Sequence, residues 1–514
     1  MKRINLTLLG LITLTNLTCQ LFGQQVYDLR FDKEKYVIQT LTADGKTFKV
    51  RAYENIVYVA NPVDTTYEKL NIYIPEEYFE GKSINGYTAQ TAPIFFPNKI
   101  GGYLPSTPAT TRNKPMGDRP PFNEKPPMGD KRPEGMPPME MMGGSQQSAV
   151  LVALSKGYVV ASAGTRGRTT KNADGTFTGK SPAALVDLKS AIRYLKFNDP
   201  VMPGDVNKII SNGTSAGGAM STLLGATGNN PDYESYLKAL GAAKASDDIF
   251  AVSAYCPITN LDHSDIAYEW QFAGIYSFNK KGFPMQQGNQ GASQLDEFQI
   301  KVSKDLALHF PAYLNSLNLK DNSGTALSLD ENGNGSFKEF VKSYIIASAQ
   351  KALDIGTDMF KYNFLTIVNG KITQINFEAY VKYMGRQKTP PAFDALDLST
   401  PENQEFGTES IDKQHFTKYA MDNSTVNSSM ADEHIVKMLN PMYYIGQPET
   451  ITAKHWRIRH GSKDNDTGLA IPVILGTYLQ NKGFNVNIEF PWDRPHSGDY
   501  DLAELFDWID TICR

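Results

Sequence analysis

The chain has 514 residues, 41% hydrophobic and 21% charged, ordinary globular usage that excludes a chain disordered throughout and a polytopic membrane protein. Lys and Arg total 51 against 55 Asp and Glu, a net charge of −4. Without a basic surplus, nucleic acid is not an expected partner. Three cysteines exclude a disulfide scaffold.

Lys2 and Arg3 precede a short apolar run from Leu6 to Leu17, broken by Thr13, Thr15 and Asn16. That run is too short to span a bilayer and reads as a Sec-type signal peptide over 1–23, with Gly23 before the cut. A lipoprotein anchor at Cys19 fits less well, because Asn16 stands where a lipobox carries Leu. No later stretch is long and apolar enough for a transmembrane segment. A secreted or periplasmic mature chain is therefore expected. It would keep Cys256 and Cys513, read as buried free thiols rather than a bridge.

From Lys49 to Pro75 two strands are expected, KVRAYENIVYVAN and EKLNIYIP, and a third in APIFFPN. Residues 105–144, rich in Pro, Met and Gly, show no apolar period and read as a disordered insertion. Alternation follows: SAVLVALSKG as helix, YVVASAG as strand, SPAALVDLKSAIRYLKFN as helix, KIISNG as strand, a helix opening at Ala216, and IFAVSAYCPI as strand. HWRIRHG and NVNIEFPW are further strands, and DLAELFDWIDTI an amphipathic helix. This pattern predicts an α/β fold with a largely parallel sheet covered on both faces. Residues 262–445 break the pattern and read as a mainly helical lid domain. They divide the core into a first part, 24–261, and a second, 446–514.

Gly213-Thr214-Ser215-Ala216-Gly217 is a G-x-S-x-G sequence between a strand and a helix, where a nucleophile elbow requires it. A serine on that sharp turn is presented to substrate, and the Ala216 N–H at the helix start can meet an oxyanion. The base and its orienting acid should follow in the order Ser, Asp, His. His496, in the loop before the last helix, is the candidate base. Asp464, four residues beyond the strand-ending His460, is the candidate acid, with Asp466 as rival. His455 and His460 read as structural. Gly101 or Gly102, after the strand APIFFPN, is the candidate second oxyanion donor. DENGNGSF (330–337) resembles the first half of a calcium loop, but Val341 stands where the bidentate Glu belongs. A tight polar turn before a helix explains it equally well.

Five stretches together resemble bacterial subtype-B tannases: GTSAGGAMS (213–221), AYCPITNLDHSDIAYEW (254–270), KTPPAFDALDLSTPEN (388–403), DNDTGLAI (464–471) and HSGDYDLAELFDWI (496–509). The resemblance runs from about residue 90 to the C-terminus. It implies an α/β-hydrolase fold with a large lid and hydrolysis of galloyl esters such as methyl gallate and gallotannins. It further implies Ser215 as nucleophile, Asp464 as acid and His496 as base. Lys388, Glu402 and Asp466 would meet the three phenolic hydroxyls of the galloyl ring. No metal or organic cofactor is expected. The insertion at 105–144 departs from the family pattern. Rival readings are a feruloyl or other aryl esterase, a serine peptidase, or a non-catalytic binding protein on the same scaffold.

Overall fold

The computed structural model describes residues 26–43, 45–112, 148–278 and 293–514. The expected signal peptide with Cys19, and 113–144 of the Pro-rich insertion, lie outside the described residues.

Among the described residues thirteen strands occur in chain order: β1 (Val37–Ala43), β2 (Lys46–Val57), β3 (Lys69–Pro75), β4 (Pro93–Pro97), β5 (Val159–Ala163), β6 (Asp205–Thr214), β7 (Ala251–Tyr255), β8 (Ser277–Phe278), β9 (Ser293–Gln294), β10 (Leu365–Val368), β11 (Lys371–Ile375), β12 (His455–Arg459) and β13 (Asn485–Glu489). Nine of them build the central sheet, in the order β1-β2-β3-β5-β4-β6-β7-β12-β13. The first three strands pair antiparallel, and β3 also runs antiparallel to β5. From β5 to β13 every pairing is parallel.

Burial follows from this order. β4 (PIFFP), β5 (VVASA) and β7 (AVSAY) are buried at every residue, as parallel strands covered on both faces must be. β1 lies at the sheet edge and alternates exposed and half-buried residues. The covering helices in the first half are α1 (Ala149–Ser155), α2 (Ala183–Phe197), α3 (Ala216–Ala226) and α4 (Glu234–Ala239). All eleven residues of α3 are buried; its Ala and Gly residues let it press close to the sheet.

The chain between β7 and β12 is mainly helical. It carries α5 (Leu261–Phe272), α6 (Glu297–Ser316), α7 (Ser336–Asp354), α8 (Phe377–Met384), α9 (Pro401–Glu405), α10 (Lys418–Asp422) and α11 (Glu433–Met438). The short pairs β8–β9 and β10–β11 lie in the same stretch. A fully buried Arg386–Glu269 ion pair ties the end of α8 to α5. Around DENGNGSF, Asp330 Oδ1 accepts the Asn332 and Asn334 N–H groups, both at 2.9 Å. Lys338 Nζ donates to Asn334 Oδ1 at 3.0 Å. The loop is thus closed on itself as a turn leading into α7.

Two helices complete the core, α12 (Ala470–Asn481) and α13 (Leu502–Cys513). On α13, Leu505, Phe506, Ile509 and Cys513 face inward. Phe506 meets Phe95 and Tyr158 edge-on. Asp510 accepts Tyr87 Oη at 2.7 Å and Tyr158 Oη at 2.5 Å. These contacts pin the C-terminal helix to the sheet. Cys256 and Cys513 are both buried free thiols.

Candidate active site

Strand β6 ends at Thr214 and helix α3 starts at Ala216, so Ser215 alone makes the turn. It does so at φ 61° and ψ −125°, backbone that a non-glycine residue adopts only when its surroundings enforce it. The Ser215 N–H donates to Tyr255 O at 3.0 Å, and Ser215 O accepts the Ala219 N–H at 2.9 Å. The flanking glycines have a steric cause. A Cβ on Gly213 would lie 2.3 Å from Gly217 O, and one on Gly217 2.5 Å from Asn98 Oδ1. Asn98, just past β4, donates to Gly217 O at 3.0 Å and to Ser221 Oγ at 2.9 Å. It thereby fastens the loop after β4 to the elbow.

That loop contains Gly101 and Gly102. Gly102 has φ +54°, and its carbonyl accepts from Arg168 Nε at 2.8 Å. The same guanidinium donates through Nη1 to Gln404 Oε1 on α9. Tyr103, also buried, donates to Ile258 O at 3.2 Å.

Asp464 lies in the turn after β12 and is fully buried. Its Oδ2 meets His496 Nδ1 at 2.8 Å, and its Oδ1 accepts the Asp466 N–H at 2.9 Å. Burial pushes the Asp464 pKa up, but His496, His460 and these hydrogen bonds together hold it well below the usual carboxylate range. For His496, burial works against the charged form, yet the Asp464 carboxylate outweighs it and lifts the pKa well above the ordinary imidazole value. The His496 loop reaches this place because Gly498 passes hard against β6: a Cβ there would lie 1.8 Å from Thr214 Oγ1.

The other ring nitrogen, His496 Nε2, faces Cys256 Sγ at 4.0 Å. It makes no hydrogen bond to Ser215 Oγ; such bonds are often long without substrate and tighten in the reacting complex. Burial pushes the Cys256 thiol pKa up, opposed by the His496 ring and the Ser215 backbone.

Lys388 and Asp466 meet at this end of the sheet. Lys388 Nζ donates to Asp466 Oδ2 at 3.2 Å, and Gln387 Nε2 to Asp466 Oδ1 at 3.0 Å. Asp466, the rival for the acid's place, is thus engaged with Lys388 and Gln387 rather than with His496. Glu402, in the first turn of α9, is buried. Burial raises its pKa; Lys388 lowers it and Asp466 raises it further, so the three charges share one neighbourhood. Beneath them lies a buried network. Asp265 accepts the Phe393 and Asp394 N–H groups at 2.7 and 3.0 Å. Asp394 accepts Asn403 Nδ2 at 2.7 Å and pairs with His415 Nδ1 at 2.7 Å. This network sets the course of the chain from Lys388 to Glu402.

Arg168, Asn98 and Gln387 are neighbours of the site that sequence reasoning did not single out, and Cys256 was read there only as a buried free thiol. Asn98 stood in the expected strand APIFFPN, beside a loop already suspected. Nothing in the spacing of the other three marks them. His460 is fully buried beside Asp464, its Nδ1 3.8 Å from Asp464 Oδ2, and its pKa is lowered by burial.

A mixed sheet with a strained serine elbow and a hydrogen-bonded Asp–His pair at the same sheet end defines an α/β-hydrolase. Residues 139–274 match the BD-FAE family model. No match was found among curated proteins. Solved structures are far more similar. Fusobacterium nucleatum tannase is 46% identical, covering 95% of this chain and 100% of its own, with a TM-score of 0.84. Native tannin acyl hydrolase from Lactobacillus plantarum is 43% identical over 95% of this chain and 99% of its own, with a TM-score of 0.84. A tannin acyl hydrolase in complex with ethyl gallate shows the same identity, 43%, and the same coverage, with a TM-score of 0.84. The chain belongs to the tannase (tannin acyl hydrolase) family, a family of carboxylic ester hydrolases.

Proposed function

We propose that this chain hydrolyses galloyl esters and releases gallate through an acyl-enzyme on Ser215. The observation that carries this reading is the meeting, at one sheet end, of the Ser215 elbow, the Asp464–His496 pair at 2.8 Å and the Lys388–Asp466 pair at 3.2 Å. The similar tannin acyl hydrolase in complex with ethyl gallate supports the substrate class.

In this mechanism Ser215 Oγ attacks the ester carbonyl while His496 Nε2 takes its proton. Asp464 holds the imidazole in one tautomer and stabilises its cation. The oxyanion lies on the Ala216 N–H and on an N–H of Gly101 or Gly102. His496 then protonates the leaving alcohol, and water activated by the same imidazole frees the acid. Lys388 donates to the ring hydroxyls, and Glu402 and Asp466 accept from them. Such a site rejects rings without hydroxyls, because its polar groups would then be buried unpaired.

Residues 262–445 act as the lid that carries Lys388 and Glu402 over the elbow. The N-terminal segment 1–23 directs export, with no lipid on Cys19. Among the described residues no helix is long and apolar enough to cross a membrane. N-terminal sequencing of the protein from the producing cell tests export: an unblocked start near residue 24 agrees, and a retained Met1 refutes it.

The deciding assay compares wild type and Ser215→Ala on methyl gallate, methyl ferulate and methyl benzoate. Ser215-dependent gallate release with little action on the other two is expected. Preference for ferulate would assign a feruloyl esterase instead.

A further inference from the structure

Among the described residues, one group of His, Cys and Asp side chains has metal-ligand spacing: Cys256, Asp464 and His496, whose ligand atoms lie within 4.8 Å of one another. We propose that Cys256 Sγ and His496 Nε2 form an inhibitory site for a thiophilic divalent cation, with zinc as the best fit.

The geometry suits that ion. Zinc takes sulfur at about 2.3 Å and imidazole nitrogen at about 2.0–2.1 Å, which at a tetrahedral angle sets the two ligands about 3.6 Å apart. Cys256 Sγ and His496 Nε2 are 4.0 Å apart, so a few tenths of an ångström of closure makes the site. The outer shell is already built. A zinc-bound histidine ordinarily donates its other ring N–H to a carboxylate, which fixes the tautomer and strengthens the ligand. Here Asp464 Oδ2 holds His496 Nδ1 at 2.8 Å, so Nε2, once its proton has left, is the nitrogen that faces the metal. The His496 side chain keeps 23% of its surface exposed, whereas Cys256 is buried. The donor set of one sulfur and one imidazole nitrogen selects zinc, cadmium or cobalt over magnesium or calcium, which prefer oxygen.

Cys256 reaches this place through strand geometry. It follows β7 at φ 36°, and its N–H donates to Arg459 O on β12 at 2.6 Å. That turns the thiol away from the strand repeat and under the His496 ring, where Ser497 O accepts from Sγ at 3.4 Å. On coordination the thiol proton and, where His496 is charged, the Nε2 proton leave to solvent, and the sulfur–metal and nitrogen–metal bonds replace them. Catalysis then stops because the Nε2 lone pair that receives the Ser215 proton is occupied. That consequence rests on His496 being the base; the binding does not.

The test uses a galloyl-free readout, since vicinal ring hydroxyls chelate zinc themselves. Fluorophosphonate labelling of Ser215 is timed with increasing Zn2+, and Co2+ binding is followed by thiolate-to-cobalt charge-transfer absorption. Zinc should slow labelling of wild type, with recovery on adding EDTA. Cys256→Ala and Cys256→Ser should each be about tenfold or more less sensitive, whereas Cys513→Ala should match wild type. The cobalt band should appear in wild type and vanish in Cys256→Ala. It should also weaken in His496→Ala, a variant whose inactivity leaves this readout intact. Equal zinc sensitivity of wild type and Cys256→Ala, or no cobalt band in wild type, overturns the proposal. A cobalt band in a wild type that fluorophosphonate never labels upholds the metal site and rejects the Ser215–His496 mechanism instead.

Discussion

His496 Nδ1 and Asp464 Oδ2 stand 2.8 Å apart, and this one carboxylate oxygen lies between two imidazoles, with His460 Nδ1 at 3.8 Å. The charge of Asp464 therefore acts on His496 from a buried position where water screens it little. The proposed mechanism needs neutral His496, so activity should fall as pH drops through its raised pKa. The acid limb of kcat/KM should lie above that of an ordinary histidine. In Asp464→Asn that charge is gone, so the limb should move to lower pH, while kcat falls by roughly 10²–10⁴. An unmoved limb in the pH–rate profile would refute the coupling.

Ser215→Ala should keep the fold and lose about 10⁴-fold or more of the esterase rate. The residue is on a strained turn, but the backbone bonds that hold it, Ser215 N–H to Tyr255 O and Ala219 N–H to Ser215 O, remain. Circular dichroism and fluorophosphonate labelling check the two halves: unchanged spectrum, no label.

Lys388→Met and Glu402→Gln should act on selectivity. A hydrogen bond to a charged group contributes about 1.5–3 kcal/mol, so each should cost about 10- to 100-fold in kcat/KM on methyl gallate and little on methyl benzoate. Equal losses on both esters would mean that these residues support the fold rather than the ring.

Arg168 bridges Gly102 O and Gln404 Oε1, tying the loop of Gly101 and Gly102, the proposed oxyanion donors, to the helix that carries Glu402. Its planar fork holds two directions at once, which lysine cannot copy. Arg168→Lys should lower kcat about tenfold, because even small misplacement of a catalytic group is costly. The loss should be alike on methyl gallate and methyl benzoate, unlike that of Glu402→Gln. A loss confined to the gallate ester would place Arg168 with the ring contacts alone.

Arg386 and Glu269 are buried with side chains at 0% exposure. Arg386→Met would strand the Glu269 charge and should cost about 3–5 kcal/mol. Glu269→Gln combined with Arg386→Met should recover part of it, as read from urea unfolding midpoints.

Much of this was legible in the chain. The run of buried apolar strands alternating with helical periods marked the sheet strands from β4 to β7, because parallel strands covered on both faces leave an unbroken apolar signature; β12 (HWRIR) and the edge strand β13 (NVNIE) were marked instead by apolar residues alternating with polar ones. Gly-x-Ser-x-Gly between strand and helix marked Ser215, because the turn excludes a Cβ at Gly213. Two elements carried no such mark. β1 is an exposed edge strand of mixed Thr, Gln and Leu, so it lacks the apolar run. α12 is apolar on nearly every side and shows no helical stripe. Cys513, read from the sequence as a buried free thiol, is one, held against the sheet by α13. Only tertiary structure brought Lys388 to Asp466, 78 residues apart, and Cys256 to His496, 240 apart. Contacts across such separations leave no periodicity in sequence; they arise where the ends of β6, β7 and β12 and the chain inserted between them converge.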